Sequence, residues 1–192
     1  NSHMAVLSEF FKMMKKGTQV IYITGNHDEF LRKYTDLSMG NLFLTDKYLL
    51  EIEGKKHWIF HGDVFDHTTS GSAKFIAKLG GMGYDWLILV NRAINWILEK
   101  FGKGKVSLSK KVKNSVKKAV KFIGDFEKKA TEIAINNHYD YVICGHIHQP
   151  ADKIWTTEKG SVHYLNSGDW IENLSWLEFD KGNWSLKFFN EK

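Results

Sequence analysis

The 192-residue chain has one cysteine, one proline and no long apolar run. A lone Cys144 excludes a disulfide framework and any thiolate zinc cluster within one chain, and it fits a reducing compartment. The longest apolar run, residues 86–90, is far shorter than the ~20 residues needed to cross a bilayer, and charged or amide side chains follow at once. Internal repeats and proline-rich linkers are lacking too, so the chain reads as one domain over residues 1–192 carrying an insertion. No signal peptide is visible. Ser2-His3-Met4 reads either as a vector remnant or as native sequence, and the true N-terminus of the parent domain is expected to precede Asn1. What is present can fold: 43% hydrophobic, 14% aromatic and 26% charged residues exclude a disordered tail.

The net charge of +5 is concentrated in one place. Residues 100–129 hold eleven lysines against Asp125 and Glu127, a local +9 that leaves −4 for the rest. Such a segment suits phosphates, anionic headgroups or nucleic acid, or is simply a solvated helix face.

Apolar patterning places the elements. Residues 10–16 end an amphipathic helix, and residues 18–24 form a β-branched and aromatic strand stopped by Gly25. Residues 28–34 read as a helix start with an acidic first turn. Residues 48–53 and 57–60 flank Gly54-Lys55-Lys56 as a hairpin-like pair, the second member running into His61-Gly62-Asp63. Further strands are expected at residues 139–144 and 162–165, followed by Gly145-His146-Ile147-His148 and Asn166-Ser167-Gly168-Asp169. A last hairpin turns at Asp180-Lys181-Gly182-Asn183. Four strands thus end in loops rich in histidine, asparagine or aspartate, the pattern of a rim at the carboxyl ends of strands.

Between them, residues 67–138 read as a helical insertion. Leu87, Val90, Ile94, Ile97, Leu98 and Phe101 recur at three and four, with Trp86, Ala93 and Trp96 widening the apolar face. A second helix follows around Val112 to Ile123, with lysines opposite its apolar face and Ser107 or Ser109 as its cap.

Two imidazoles in a turn, His146 and His148, without a nearby thiolate suit metals such as Mn, Fe or Zn. His61 is a third ligand candidate, and the amide oxygen of Asn26 a fourth. His27 is a candidate acid or transition-state donor. Arg32, one turn beyond Asp28, is either a phosphate contact or a solvated helix arginine. The other histidines, at 3, 57, 67, 138 and 163, have no motif setting.

Taken together, GNHD at residues 25–28, HGD at 61–63 and GHIH at 145–148 resemble the calcineurin-like metallophosphoesterases. The resemblance implies an α/β fold, a β-sandwich flanked by helices. The insertion, the HGDVFD run and the late NSGDW resemble most the UDP-2,3-diacylglucosamine pyrophosphohydrolase branch, which cleaves a pyrophosphate in making lipid A and whose insertion forms a lid for acyl chains. The resemblance implies two divalent metals, manganese first and Fe, Zn or Mg otherwise. Asn26, His61 and His146 would bind one and His148 the other, with His27 stabilising charge on the phosphoryl oxygens or the leaving group. A metal pair ~3.5 to 4 Å apart can hold a bridging hydroxide in line with phosphorus. Asp63, Asp66 and Asp169, together with Asp28, would orient these groups from behind. Trp96 and Ile97 would meet acyl chains.

The chain departs from the family in two respects. The Asp-x-His of the family's first strand is absent; Gly62-Asp63-Val64-Phe65-Asp66 matches the Gly-Asp-x-x-Asp pattern, but in the wrong order for its role. The sheet is therefore expected to lack N-terminal strands and one metal site to be incomplete, with a missing fragment or a second chain supplying the rest, or else the chain alone to be inactive. The lipid A enzymes also carry arginine where His27 stands, which loosens the substrate assignment. An acylated sugar nucleotide met at a membrane surface, in a cytoplasmic enzyme peripheral to the inner membrane, is the first expectation. A phosphodiesterase on nucleotides or nucleic acid is an alternative, with nucleic acid the less favoured partner, and a non-catalytic membrane-surface module is another.

Overall fold

The computed structural model describes residues 2–68 and 108–189. The expected helix at residues 84–101, with Trp96 and Ile97, lies outside them. Two compact units divide the chain, one of Asn1–Val64 with Ala130–Lys192 and the other of Phe65–Lys129.

Helix α1, Ser2–Lys15, leads into strand β1, Val20–Ile23. Its apolar residues Leu7, Phe10, Phe11 and Met13 are exposed. β1 pairs in parallel with β3, Leu42–Thr45, and β3 pairs antiparallel with β2, Leu37–Met39, giving a three-stranded sheet. One residue, Asp46, separates β3 from β4, Lys47–Ile52. β4 then opens a five-stranded sheet with β5 (Lys55–Phe60), β6 (Tyr141–Cys144), β7 (Ala151–Thr157) and β8 (Gly160–Asn166), in the order β4-β5-β6-β8-β7. Its inner strands β5, β6 and β8 run parallel, so their carboxyl ends share one edge. β4 and β7 flank them antiparallel. Strands β9, Ser175–Asp180, and β10, Asn183–Phe188, form the last hairpin.

The core of this unit lies where helix α2, Leu108–Asn136, and the parallel strands bury their apolar residues. Ala130, Ala134 and Ile135 of α2, Val142 and Ile143 of β6, and Val162, Tyr164 and Leu165 of β8 are all buried. Each large aliphatic side chain there is worth roughly 1.5–3 kcal/mol over its exposed state. β6 alternates on neither face, as a strand covered on both sides must. In the other unit Phe65 meets Phe126 edge to face, with ring centroids 5.4 Å apart.

Several expectations are corrected. Residues 28–34 do not start an α-helix; Glu29–Tyr34 is a 3₁₀ helix without a side-chain cap, because the Asp28 carboxylate bonds elsewhere. Strands β2, β3 and β7 were not expected: β2 is three exposed residues, and β7 is mostly exposed along its length. α2 begins at Leu108 and runs to Asn136, well past residue 123; Ser109 therefore lies inside its first turn, and Ser107 lies outside the described residues.

Candidate metal centre

Four loops leave the carboxyl ends of β1, β5, β6 and β8, and the first three bring their donors together. In the loop after β1, the Asp28 carboxylate accepts the Gly25 N–H at 2.6 Å and the Tyr22 hydroxyl at 2.5 Å, which curls the chain and presents Asn26. The loop after β5 presents His61. Its Nε2 lies 3.1 Å from the Asn26 Oδ1. The close approach requires a glycine: a Cβ on Gly25 would stand 2.8 Å from that Nε2. The Gly145 N–H donates to the His61 carbonyl at 3.0 Å, drawing in the loop after β6. The His146 ring then stands edge-on to His61, centroids 5.1 Å apart.

Burial pushes the His61 imidazole below its ordinary value; His146 adds to this, and Asp63 and Asp28 oppose it. His61 is therefore neutral near pH 7, the form that can ligate a metal. Two donors bound to one ion at about 2.1 Å and at right angles stand about 3 Å apart, so the spacing of Asn26 and His61 suits a shared divalent cation. Among the described residues no three His, Cys, Asp or Glu side chains gather into such a group. The convergence depends on the amide.

His148 is turned differently. Its side chain is 52% exposed, with Nδ1 3.7 Å from the Asp169 Oδ2. Burial disfavours the charge on Asp169, but the N–H of Glu172, the side chain of Asn173 and the N–H groups of Ile171 and Asn173 outweigh it and hold the carboxyl at about 2. Asn173 also donates to the His148 carbonyl at 2.9 Å, tying the loops after β6 and β8 together. His27 is exposed beside Asn26. Arg32 donates to Asp63 and lies 3.4 Å from Asp46 by its Nε. Asp63 thus faces an arginine and Asp28 a backbone N–H and a phenol, while Asp169 faces His148. Asp66 belongs to the 3₁₀ helix Asp63–Thr68, and its side chain is outside the described residues. Sequence reasoning passed over Asp46 and Thr24, whose hydroxyl donates to Asp46; neither belongs to a motif.

Residues 3–150 match the family described as calcineurin-like phosphoesterase. The UDP-2,3-diacylglucosamine hydrolase of Aliivibrio fischeri strain MJ11 is 26% identical over 182 residues, 94% of this chain and 73% of its own. The enzyme of that name from Aeromonas salmonicida strain A449 is 23% identical over 189 residues, 96% of this chain and 71% of its own. The one from Escherichia coli O139:H28 is 29% identical over 136 residues, covering 70% of this chain and 55% of its own. A solved archaeal phosphodiesterase aligns over 93% of this chain and 73% of its own at 14% identity, with a TM-score of 0.39.

Proposed function

Because the chain belongs to the calcineurin-like phosphoesterase family, hydrolases of phosphoester bonds that work with two metal ions, we propose that it cleaves the pyrophosphate of an acylated sugar nucleotide of the UDP-2,3-diacylglucosamine type. The observation that carries this reading is the meeting of Asn26, His61 and His146, drawn from three strands and two sheets. The names of the similar hydrolases support the substrate class. These three side chains would hold one divalent cation, manganese first. His148 would serve a second, whose other ligands come from outside the described donor set. When bound, such ions neutralise phosphoryl oxygens and activate water.

The chain's own residues do the remainder. His27, exposed beside Asn26, donates an N–H to a phosphoryl or leaving-group oxygen as charge grows there. Asp169 orients His148, and Asp28 holds the loop that carries Asn26 and His27. The insertion, through Trp96 and Ile97, covers the acyl chains, and the lysine-rich helix faces the anionic surface from which the lipid is drawn.

Turnover of a UDP-diacylglucosamine and of bis(p-nitrophenyl) phosphate, both with Mn²⁺, tests the reading. Asp at positions 96 and 97 should lower lipid turnover by roughly tenfold to a hundredfold while the soluble diester is still cleaved. Equal losses on both would remove the lid, and no metal-dependent hydrolysis of either would remove the activity from this chain.

A further inference from the structure

The two donors that approach most closely come from different sheets. Asn26 follows β1 of the three-stranded sheet, and His61 follows β5 of the five-stranded sheet. The chain passes from one sheet to the other at a corner of one residue, Asp46, between the last residue of β3 and the first of β4.

Asp46 is also the middle of a chain of side-chain links. The Thr24 hydroxyl donates to its Oδ1. The same oxygen lies 3.4 Å from Nε of Arg32. Arg32 Nη2 donates to Oδ2 of Asp63, two residues beyond His61. His61 returns to Asn26, two residues beyond Thr24. The links close a ring of which the His61–Asn26 approach is the last side.

Each part of the ring is held. Thr24 and Asp63 are buried, and the Thr24 N–H donates to the Thr45 carbonyl at 3.0 Å, fixing β1 beside the corner. The Thr45 hydroxyl donates across the corner to the Lys47 carbonyl at 2.8 Å. Arg32 hydrogen-bonds Asp63 through Nη2, while its Nε makes no hydrogen bond and meets Asp46 by charge alone; the rigid guanidinium plane still spaces the two carboxylates it lies between. Arg32 and Asp46 are partly exposed, so their ion pair adds little stability; its effect is on spacing.

We propose that Asp46, acting through Arg32, is a positioning residue for the metal centre: it sets the distance between Asn26 and His61 by tying together the ends of two sheets. The inference rests on the reading that those two side chains share a cation, and it gives Arg32 a task other than phosphate contact.

The full-length chain tests this with Mn²⁺ as the probe, by calorimetric titration, and with NMR of the His61 ring in the metal-free chain. Asp46→Ala should weaken Mn²⁺ binding roughly tenfold and displace the His61 ring signals, and Asp46→Glu should recover most of both. Lys12→Ala, which breaks an exposed ion pair on α1, should change neither. Should Asp46→Ala fail to fold, Asp46→Asn keeps an acceptor for Thr24 without the charge, and an intermediate loss is expected. A folded variant with a lower melting temperature, unmoved His61 signals and Mn²⁺ affinity within about twofold of the parent would make the corner purely structural and overturn the proposal. A parent chain that takes up no Mn²⁺ would overturn the shared-cation reading, and the His61 signals would then decide the ring by themselves.

Discussion

Asp28 satisfies two donors with one carboxylate, and the phenol of Tyr22 records this. The Tyr22 hydroxyl loses its hydrogen bond to Asp28 if it ionises; burial and the nearby negative charge also oppose ionisation, and its pKa is pushed up to about 12. The sign for stability follows. A phenol held neutral in the fold favours the native state below its ordinary value of 10, and that contribution is lost as pH rises from 10 through about 12. We expect the Tyr22 ring carbon signals to titrate near 12 in the parent chain and to move back toward 10 in Asp28→Asn. A Tyr22 transition already near 10 in the parent would mean that the hydrogen bond is not formed in solution. Residues of this kind differ in how openly the sequence announces them. Asn26, His61 and His146 sit in short motifs after strands and could be named without coordinates. Asp46 could not, because a lone acid between Thr45 and Lys47 carries no local pattern; its importance comes from where two sheets happen to meet.

At the scale of elements, the turn after β6 stores strain. His146 and His148 adopt φ of 66° and 55°, in the left-handed region that a side chain with a Cβ rarely takes. A pair of strained, non-glycine residues at a candidate metal centre is the usual exchange of stability for geometry. His148 is more than half exposed, so its packing contributes little. His148→Gly should therefore leave thermal stability unchanged or raise it by up to about 1 kcal/mol, while lowering the amount of Mn²⁺ retained after dialysis. A clear loss of stability would show that the imidazole serves the fold instead. Legibility at this scale follows burial only in part: β4 was expected although none of its residues is buried, and the four-residue β3 was not, although Leu44 and Thr45 are buried. β6 and β8 are largely buried and were visible as apolar runs, whereas β7 shows solvent most of its side chains and β2 all of them, so composition there does not differ from a loop. The helix expected after Asp28 failed for a physical reason: its capping carboxylate bonds to Gly25 and Tyr22, and a 3₁₀ helix of six residues is what remains.

The whole molecule adds a question of where it meets its substrate. No helix among the described residues is long and apolar enough to cross a membrane. Two features of opposite character face solvent. Lys117, Lys118 and Lys121 are exposed on α2, within the segment that carries the +9. In the loop after β8, Trp170 is 65% and Ile171 82% exposed. Basic residues near an anionic bilayer contribute about 1 kcal/mol each, and that attraction fades within a Debye length as salt rises. An apolar contact does not fade in this way, because it depends on area removed from water. Co-sedimentation with vesicles containing anionic phospholipid therefore separates the two. If the lysine face directs docking, binding should fall by tenfold or more between roughly 50 and 500 mM NaCl, and reversing the charge at positions 117, 118 and 121 should abolish it at low salt. Binding that persists at high salt and is lost in Trp170→Ser with Ile171→Ser would assign the contact to the loop that leaves β8, on the same strand edge as His61 and His146.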